Sequence, residues 1–584
     1  MSKILILCTR KPDQNTLTED IKILSKKLEP DNIIFPLPKV IKSQKITVSI
    51  FNPHTSISLH GLSVCLGKLT NSSDNWWKPK SKFPDGSFAL FRCDNKYIEI
   101  LTDATASRTI WYYFDDDIFI ASTSQRAIIY FLKSFEFNQS VIPWMLSTGT
   151  LGPGYSWDSR IKFLDISSSI LLDYESWKLK VKQCNLEVSS EEKKEEEEHE
   201  KALKYALYNS INNLNLDYSK WVLPLSGGYD SRCILLMTKK KKRLKCVTWG
   251  LSDSQYDKDN DAYIAKELTS LLDLRHQYFS IDKSNEPFEK VFSRFLTCGE
   301  GRIDHISGYM DGFEVWKTLF EKGIEGILRG DQPFSSVSVN SSLDVKRRAG
   351  LTLISDFENL KFLQEPGLPE QSFPRKFNRK STESLIAWRN RLYLQFRAPF
   401  VWAALNDLKL SYVEVVNPLL TREIIMTARR LPDYLSDRKK IFKKIVDSIS
   451  PPIEYATSQA LDDSRNILRR EDVVKFMLVE LRNMKEYSIF PENLIQTILA
   501  EIEESLNKKN KSNKDYSSLF LKQKFKSLFN RLSRLFFRRV STSNNNEKNL
   551  NIDFHLVAFR VCIINMMHKT LTADAATLSA KQKK

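Results

Sequence analysis

The stretch Ser226-Gly227-Gly228-Tyr229-Asp230-Ser231 decides how this chain is read. It follows the apolar run Trp221-Val222-Leu223-Pro224-Leu225 and precedes Arg232-Cys233-Ile234-Leu235-Leu236-Met237, which predicts strand, tight glycine turn and helix. Two adjacent glycines let a backbone approach phosphate oxygens closely. The N–H groups at the start of the following helix, together with its dipole, favour an anion. Ser226 and Ser231 are hydroxyl donors, and Asp230 is a hard oxygen ligand suited to Mg²⁺. The Gly-Lys-Ser/Thr ending of a Walker A loop is missing, so simple γ-phosphate transfer is not the first reading. The bland alternative is a Gly-Gly turn with a Ser/Asp helix cap.

The next hundred residues favour a nucleotide site. Residues 244–250 (Leu-Lys-Cys-Val-Thr-Trp-Gly) read as a second strand, 261–272 as a helix and 275–281 as a third strand. Helical rhythm returns over 288–296 and 307–320, and Ile324-Glu325-Gly326-Ile327-Leu328 then runs into Arg329-Gly330-Asp331-Gln332. This alternation predicts a parallel sheet covered on both faces, with ligands at the carboxyl ends of its strands. The nucleotide-binding residues expected there are Leu225, Ser226, Gly227, Gly228, Asp230, Ser231, Trp249, Gly250 and Gly330. Asp230 and Asp331 are expected to hold Mg²⁺ on ATP phosphates.

These residues resemble the asparagine synthetase family, whose relatives close β-lactams and lasso peptides. Ser226 to Ser231 stands for its S-G-G-x-D-S loop and Gly330-Asp331-Gln332 for its later Gly-Asp-Glu element. Asn417-Pro418-Leu419-Leu420 with Arg422-Glu423-Ile424, then Leu431-Pro432 and Lys439-Lys440-Ile441-Phe442-Lys443-Lys444, resemble further family stretches, so the likeness spans about 200–460. It implies an ATP-pyrophosphatase fold and a reaction in which ATP adenylates a carboxylate, pyrophosphate leaves, and an amine displaces AMP.

The amino-terminal part resembles the family's Ntn-type glutaminase sandwich through Pro84-Asp85-Gly86-Ser87-Phe88-Ala89-Leu90, through 103–113, and through Ala121-Ser122-Thr123-Ser124 with Arg126-Ala127-Ile128. That glutaminase needs a cysteine at the mature amino terminus. Here the chain opens Met1-Ser2-Lys3-Ile4, and Cys8 closes a run that reads as a buried strand, where a thiol is inert. The sandwich therefore reads as degenerate. The synthetase half departs too: Ser458 stands where the family has a lysine that steadies charge developing during amide formation. Arg302, Arg329 or a lysine of 439–444 is the candidate replacement, with Asp230, Asp331 and Arg302 as the catalytic set. A cation aimed at an oxyanion contributes roughly 3–4 kcal/mol. The lysine run reads equally well as a solvated helix face.

At 584 residues, with 42% hydrophobic and 27% charged residues, the chain suits a globular protein of two or three domains. The expected division is a degenerate amidotransferase-like domain over 1–185, the α/β ATP-pyrophosphatase domain over 195–475, and a helical extension over 476–584. Eight scattered cysteines without C-x-x-C pairing, no leader and no apolar run of bilayer length point to the cytoplasm. Seven dispersed histidines argue against zinc.

The net charge of +17 is concentrated rather than spread as a nucleic-acid groove. Residues 508–540 hold eleven Lys/Arg against one acid, Asp515. Within them Leu521, Phe525, Leu528, Leu532, Leu535 and Phe536 share one helical face, and Lys522, Lys526, Arg531, Arg534 and Arg538 the other. A helix over 519–540 suits an anionic membrane surface, a partner, or packing on its own domain. Residues 541–546 read as a linker and 554–567 as an apolar helix that packs back. The function expected overall is an AMP- and pyrophosphate-forming amide ligase using ATP, Mg²⁺, a small-molecule or peptide carboxylate, and ammonia or an amine. A nucleotide-binding regulatory descendant is the alternative, and another ATP-pyrophosphatase such as a thiolation enzyme is a weaker third.

Overall fold

The computed structural model describes residues 3–581 apart from 12–16, 55–56, 71–73, 185, 187–193, 283, 365–366, 462, 485–488 and 516–549. The basic segment expected over 519–540 lies outside the described residues.

Among the described residues twelve strands build the first half: β1 (Lys3–Thr9), β2 (Lys39–Lys42), β3 (Ile46–Phe51), β4 (Ser58–His60), β5 (Ser63–Leu69), β6 (Gly86–Cys93), β7 (Tyr97–Thr102), β8 (Trp111–Phe114), β9 (Ile118–Ser122), β10 (Lys162–Phe163), β11 (Ser168–Asp173) and β12 (Lys178–Gln183). They form two sheets, ordered β10-β8-β9-β1-β3-β2 and β12-β11-β7-β6-β5-β4, with antiparallel neighbours throughout. Ile4, Ile6, Val48 and Ile50 of the first sheet share a core with Val64, Ala89, Phe91 and Ile100 of the second, so the two pack as a sandwich. At one edge β12 carries exposed Lys178, Lys180 and Lys182, which discourage another strand from pairing there. Cys8 is buried in β1, and burial pushes its thiol up to about 12, as an inert strand cysteine requires.

The second half holds a five-stranded parallel sheet: β13 (Trp221–Pro224), β14 (Lys245–Gly250), β15 (His276–Ser280), β16 (Gly326–Leu328) and β17 (Glu414–Val416), in the order β15-β14-β13-β16-β17. The first four match the expected strands. The fifth was not expected, because three residues between a helix and Asn417 leave no readable period. Alternate side chains serve two cores: Val222, Val247, Ile327 and Val415 face one, and Leu223, Cys246, Leu328 and Val416 the other. Both faces are therefore covered, as near-continuous apolar strands demand. From β13 the chain first builds outward on one side to β14 and β15, then returns to build β16 and β17 on the other. The gap between the ends of β13 and β16 is thus the topological switch point.

One expected helix is broken. Residues 307–320 form a short turn (Ser307–Tyr309) and then the helix Glu314–Glu321. Between them Gly312 (φ +75°) and Phe313 (φ +67°) are left-handed, and the buried carboxylate of Asp311 accepts from the N–H groups of Phe313 (3.0 Å) and Val315 (3.1 Å). Burial pushes this carboxyl up to about 6. An unfolded Asp releases its proton near 3.8, so the folded chain binds more protons between those values and stability falls as pH rises through that window. The expected loss is about 3 kcal/mol. Asp311→Asn keeps a capping oxygen without the charge, so its denaturation midpoint should be flatter from pH 4 to 6 than the parent's. Parallel slopes would refute this.

The two halves share one core, from Leu5 and Trp111 through Phe292 to Val557. The C-terminal helix Phe554–Lys581, longer than expected, packs back as anticipated, and its buried Asp574 pairs with Arg126 (2.9 Å) and Lys27 (3.0 Å) of the sandwich half. Among the described residues no helix is long and apolar enough to cross a membrane.

Candidate functional site

The glycine loop joins β13 to the helix Tyr229–Met237 at the switch point, as its sequence predicts. A cavity of about 340 Å³ opens there, lined by Leu225, Ser226, Asp230, Ser231, Val247, Thr248, Trp249, Asp261, Arg329, Gly330, Asp331 and the strip Gln459-Ala460-Leu461. Gly330 crosses the loop closely: a Cβ there would lie 3.1 Å from the Ser231 nitrogen. That contact brings the β16 turn against the β13 turn and sets Asp331 near Asp230.

The loop's own N–H groups are less free than expected. Ser231 Oγ accepts from Ser226 N (3.0 Å), Asp261 Oδ1 from Gly227 N (3.0 Å) and Ser226 Oγ from Gly228 N (3.3 Å). The loop is therefore rigid before any ligand arrives. Residues 453–461 strap it down. Arg232 donates to the carbonyls of Ile453 (2.8 Å) and Glu454 (2.7 Å) and lies 3.9 Å from the Tyr455 ring, which stacks on Tyr229 at 3.7 Å. Ala456 N donates to Gly227 O at 3.1 Å, and a Cβ on Gly227 would fall 2.5 Å from the Ala456 methyl. Gly250 has the same role one strand over, where a Cβ would meet Ala460 at 2.4 Å; it packs behind the cavity rather than lining it. Ser458 accepts from Asn260 Nδ2 (3.4 Å) on the outer side of the strap, and its neighbours Gln459 and Ala460 face the cavity.

Each expected metal ligand already carries a cation. Lys439 Nζ lies 2.8 Å from both oxygens of Asp230, and Arg329 holds Asp331 through Nη2 (3.1 Å) and Nε (3.3 Å). Burial pushes the Asp230 carboxyl up, Lys439 pulls it down, and the neighbouring Asp331 charge raises it again. Asn417 Nδ2 adds a bond to Asp331 at 3.1 Å, while its backbone N–H donates to Ser87 Oγ of the sandwich at 3.1 Å.

Of the three replacement cations, Arg329 and a lysine of the 439–444 run reach the site. Arg302 does not. It is buried against Asp407, donates to Thr109 Oγ1 (2.7 Å), and is 5.4 Å from the Trp111 ring, outside the cavity. In the structure it forms an internal ion pair, apart from the Asp230 and Asp331 expected to act with it. Sequence reasoning missed Asp261, Thr248, Asn417 and the strap. Asp261 had a visible signal, since Asn260-Asp261 opens a helix and Asn260 caps it by accepting from Ala262 N (3.0 Å).

The lining suits a magnesium-bound nucleotide. Three carboxylates (Asp230, Asp261, Asp331) stand against the Arg329 guanidinium and the Lys439 ammonium, an excess of one negative charge that does not favour a bare polyphosphate. The Lys439 ammonium on both Asp230 oxygens marks a position that holds a cation. Among the described residues no three His, Cys, Asp or Glu side chains converge to hold an ion unaided. Two carboxylates, Asp230 and Asp331, could hold a divalent cation only together with oxygen donors from a ligand such as phosphate. Trp249, 5.1 Å from Trp316 in a T-shaped contact, offers a flat apolar face beside Val247.

No protein-family profile matches the chain, and no curated protein matches it. Among solved structures, glutamine phosphoribosylpyrophosphate amidotransferase from B. subtilis, complexed with ADP and GMP, aligns at 10% identity with a TM-score of 0.19, over 47% of this chain and 65% of that one. A likeness of that size carries no argument about function.

Proposed function

We propose that this protein is an ATP-dependent amide ligase that adenylates a carboxylate, releases pyrophosphate and passes the acyl group to an amine, in the manner of the asparagine synthetase family. The observation that carries the reading is the meeting of Asp230 and Asp331 at the ends of β13 and β16, in one cavity with Ser226, Ser231 and Trp249. Bound with the nucleotide, Mg²⁺ would neutralise phosphate charge as pyrophosphate departs. The chain's own residues do the rest. Ser226 and Ser231 offer hydroxyls toward phosphate oxygens, and the strap 453–461 keeps the loop from moving. Lys439 and Arg329 supply positive charge where the family lysine is missing, provided each releases its carboxylate in exchange for phosphate. The reading implies the cytoplasm.

The bidentate grip of Lys439 on Asp230 favours one alternative, a descendant that binds nucleotide without turnover. A single assay separates them. Full-length protein with MgATP and a panel of amino acids and short peptides should release pyrophosphate and AMP in equal amounts, with hydroxylamine trapping the acyl group as hydroxamate. Saturable MgATP binding with no pyrophosphate from any carboxylate would leave the non-catalytic reading standing.

A further inference from the structure

A second cavity, of about 450 Å³, adjoins the first and shares Gln459 and Leu461 with it. Its far wall is built by residues 304–307 and by Leu556 and Arg560 of the C-terminal helix. Buried Asp304 stands 2.7 Å from His305 Nδ1 through Oδ1 and accepts from Arg560 Nε at 2.7 Å through Oδ2. Arg560 is itself anchored by Nη1 on the Leu146 carbonyl at 2.7 Å. Gly149 (φ +71°) presses on the same carboxylate, since a Cβ there would lie 2.1 Å from Oδ2. Burial would push the Asp304 carboxyl up, but Arg560 and His305 prevail and hold it at about 2, so it is an anion at neutral pH. An anion fixed on Nδ1 keeps that nitrogen as the donor and leaves Nε2 as an acceptor on a ring that is 51% exposed.

We propose that this cavity receives an organic primary amine and that His305, oriented by Asp304, is the base that takes the proton the amine sheds. The proposal rests on the ligase reading above. Its volume, with Ile306, Leu461, Leu468 and Leu556 on the wall, suits a carbon skeleton of amino-acid size, for which ammonia has no need. Asp304 and Asp463 line it with their partners Arg560 (2.7 Å) and Arg465 (3.9 Å), so the wall carries no surplus cation to repel an ammonium-bearing molecule. In the step, the amine nitrogen bonds the acyl carbon and the acyl C–O bond to AMP breaks, its electron pair leaving on AMP. An amine bound as ammonium gives its first proton to His305 Nε2 before attack, and the second, released from nitrogen as the amide forms, follows it; each passes from the exposed ring to water.

Two measurements on the full chain test this. In ¹⁵N-histidine protein holding Mg²⁺ and an ATP analogue with a methylene between the α and β phosphorus atoms, 1,5-diaminopentane should shift the His305 Nε2 signal saturably. Glutarate should not, and Ser307→Phe, which narrows the cavity, should abolish the shift. No saturable shift, an equal response to glutarate, or an undiminished one in Ser307→Phe overturns the amine assignment. With a carboxylate that supports pyrophosphate release, His305→Asn should slow diamine-dependent amide formation at least ~100-fold more than it slows pyrophosphate exchange, with partial rescue by imidazole. Equal losses in both overturn the base assignment. Should no carboxylate support pyrophosphate release, the ligase reading fails on its own, while the signal shift still decides what the cavity holds.

Discussion

Asp230→Asn is expected to weaken MgATP binding about 100-fold while leaving metal-free ATP bound as well as before or better. The opposite signs follow from one charge. In the parent chain Asp230 attracts the metal that accompanies the phosphates and repels the phosphates themselves. Removing it withdraws a hard ligand from the metal and frees Lys439, 2.8 Å away, to meet a phosphate oxygen. Calorimetry with and without Mg²⁺ reads both terms. An equal loss with and without metal would mean that Asp230 merely shapes the loop, and unchanged MgATP affinity would remove it from the site.

Arg302→Met should cost about 3 kcal/mol of stability, the scale for stripping one partner from a buried ion pair. It should leave nucleotide affinity per folded molecule unchanged. Asp407 is pushed up by burial and held down by Arg302, so the variant leaves a largely buried carboxylate without its ion-pair partner. The double variant Arg302→Met/Asp407→Leu should recover most of the loss, because two apolar groups replace the pair. Melting curves for the single and double variants decide the matter. Lost nucleotide binding at full stability would restore Arg302 to the active site.

What could be read from the sequence was what is local. The glycine loop and four of the five parallel strands carry their signals within a few residues, three of those strands as apolar runs that meet a glycine. The site's second layer is not local. Asp261 reaches Gly227 across 34 positions, and Lys439 reaches Asp230 across 209. The lysine run shows the limit well. As a pattern, 439–444 is equally a solvated face or a set of site charges, and the structure divides it, with Lys439 on Asp230 and Lys444 outside. Arg438 (φ +49°) and Lys439 (φ +59°) take left-handed conformations that turn Lys439 onto Asp230. One turn of helix later, Lys444 faces outward to Glu196 (2.8 Å) and Glu200 (2.9 Å). No periodicity marks a two-residue left-handed kink outside glycine, so no pattern could single out the one lysine that matters. Arg302 fails for the mirror-image reason: its charge is visible, but its partner Asp407 lies 105 positions away.

Asn417 touches both halves at once, with its backbone on Ser87 and its side chain on Asp331, and this bears on how such a chain can change over generations. One part of a chain can be trimmed from the gene only where nothing else leans on it. Here the buried Arg108–Glu414 pair and the Asp85 carboxylate that accepts from Arg422 N (2.9 Å) tie β17 and the segment after it to the sandwich as well. Deleting the first half would bare one face of the strand that seats Asn417 and strand Glu414 without its counter-charge. The sandwich is kept by what leans on it, and a gene broken between the halves would yield two products that must find each other before either is useful.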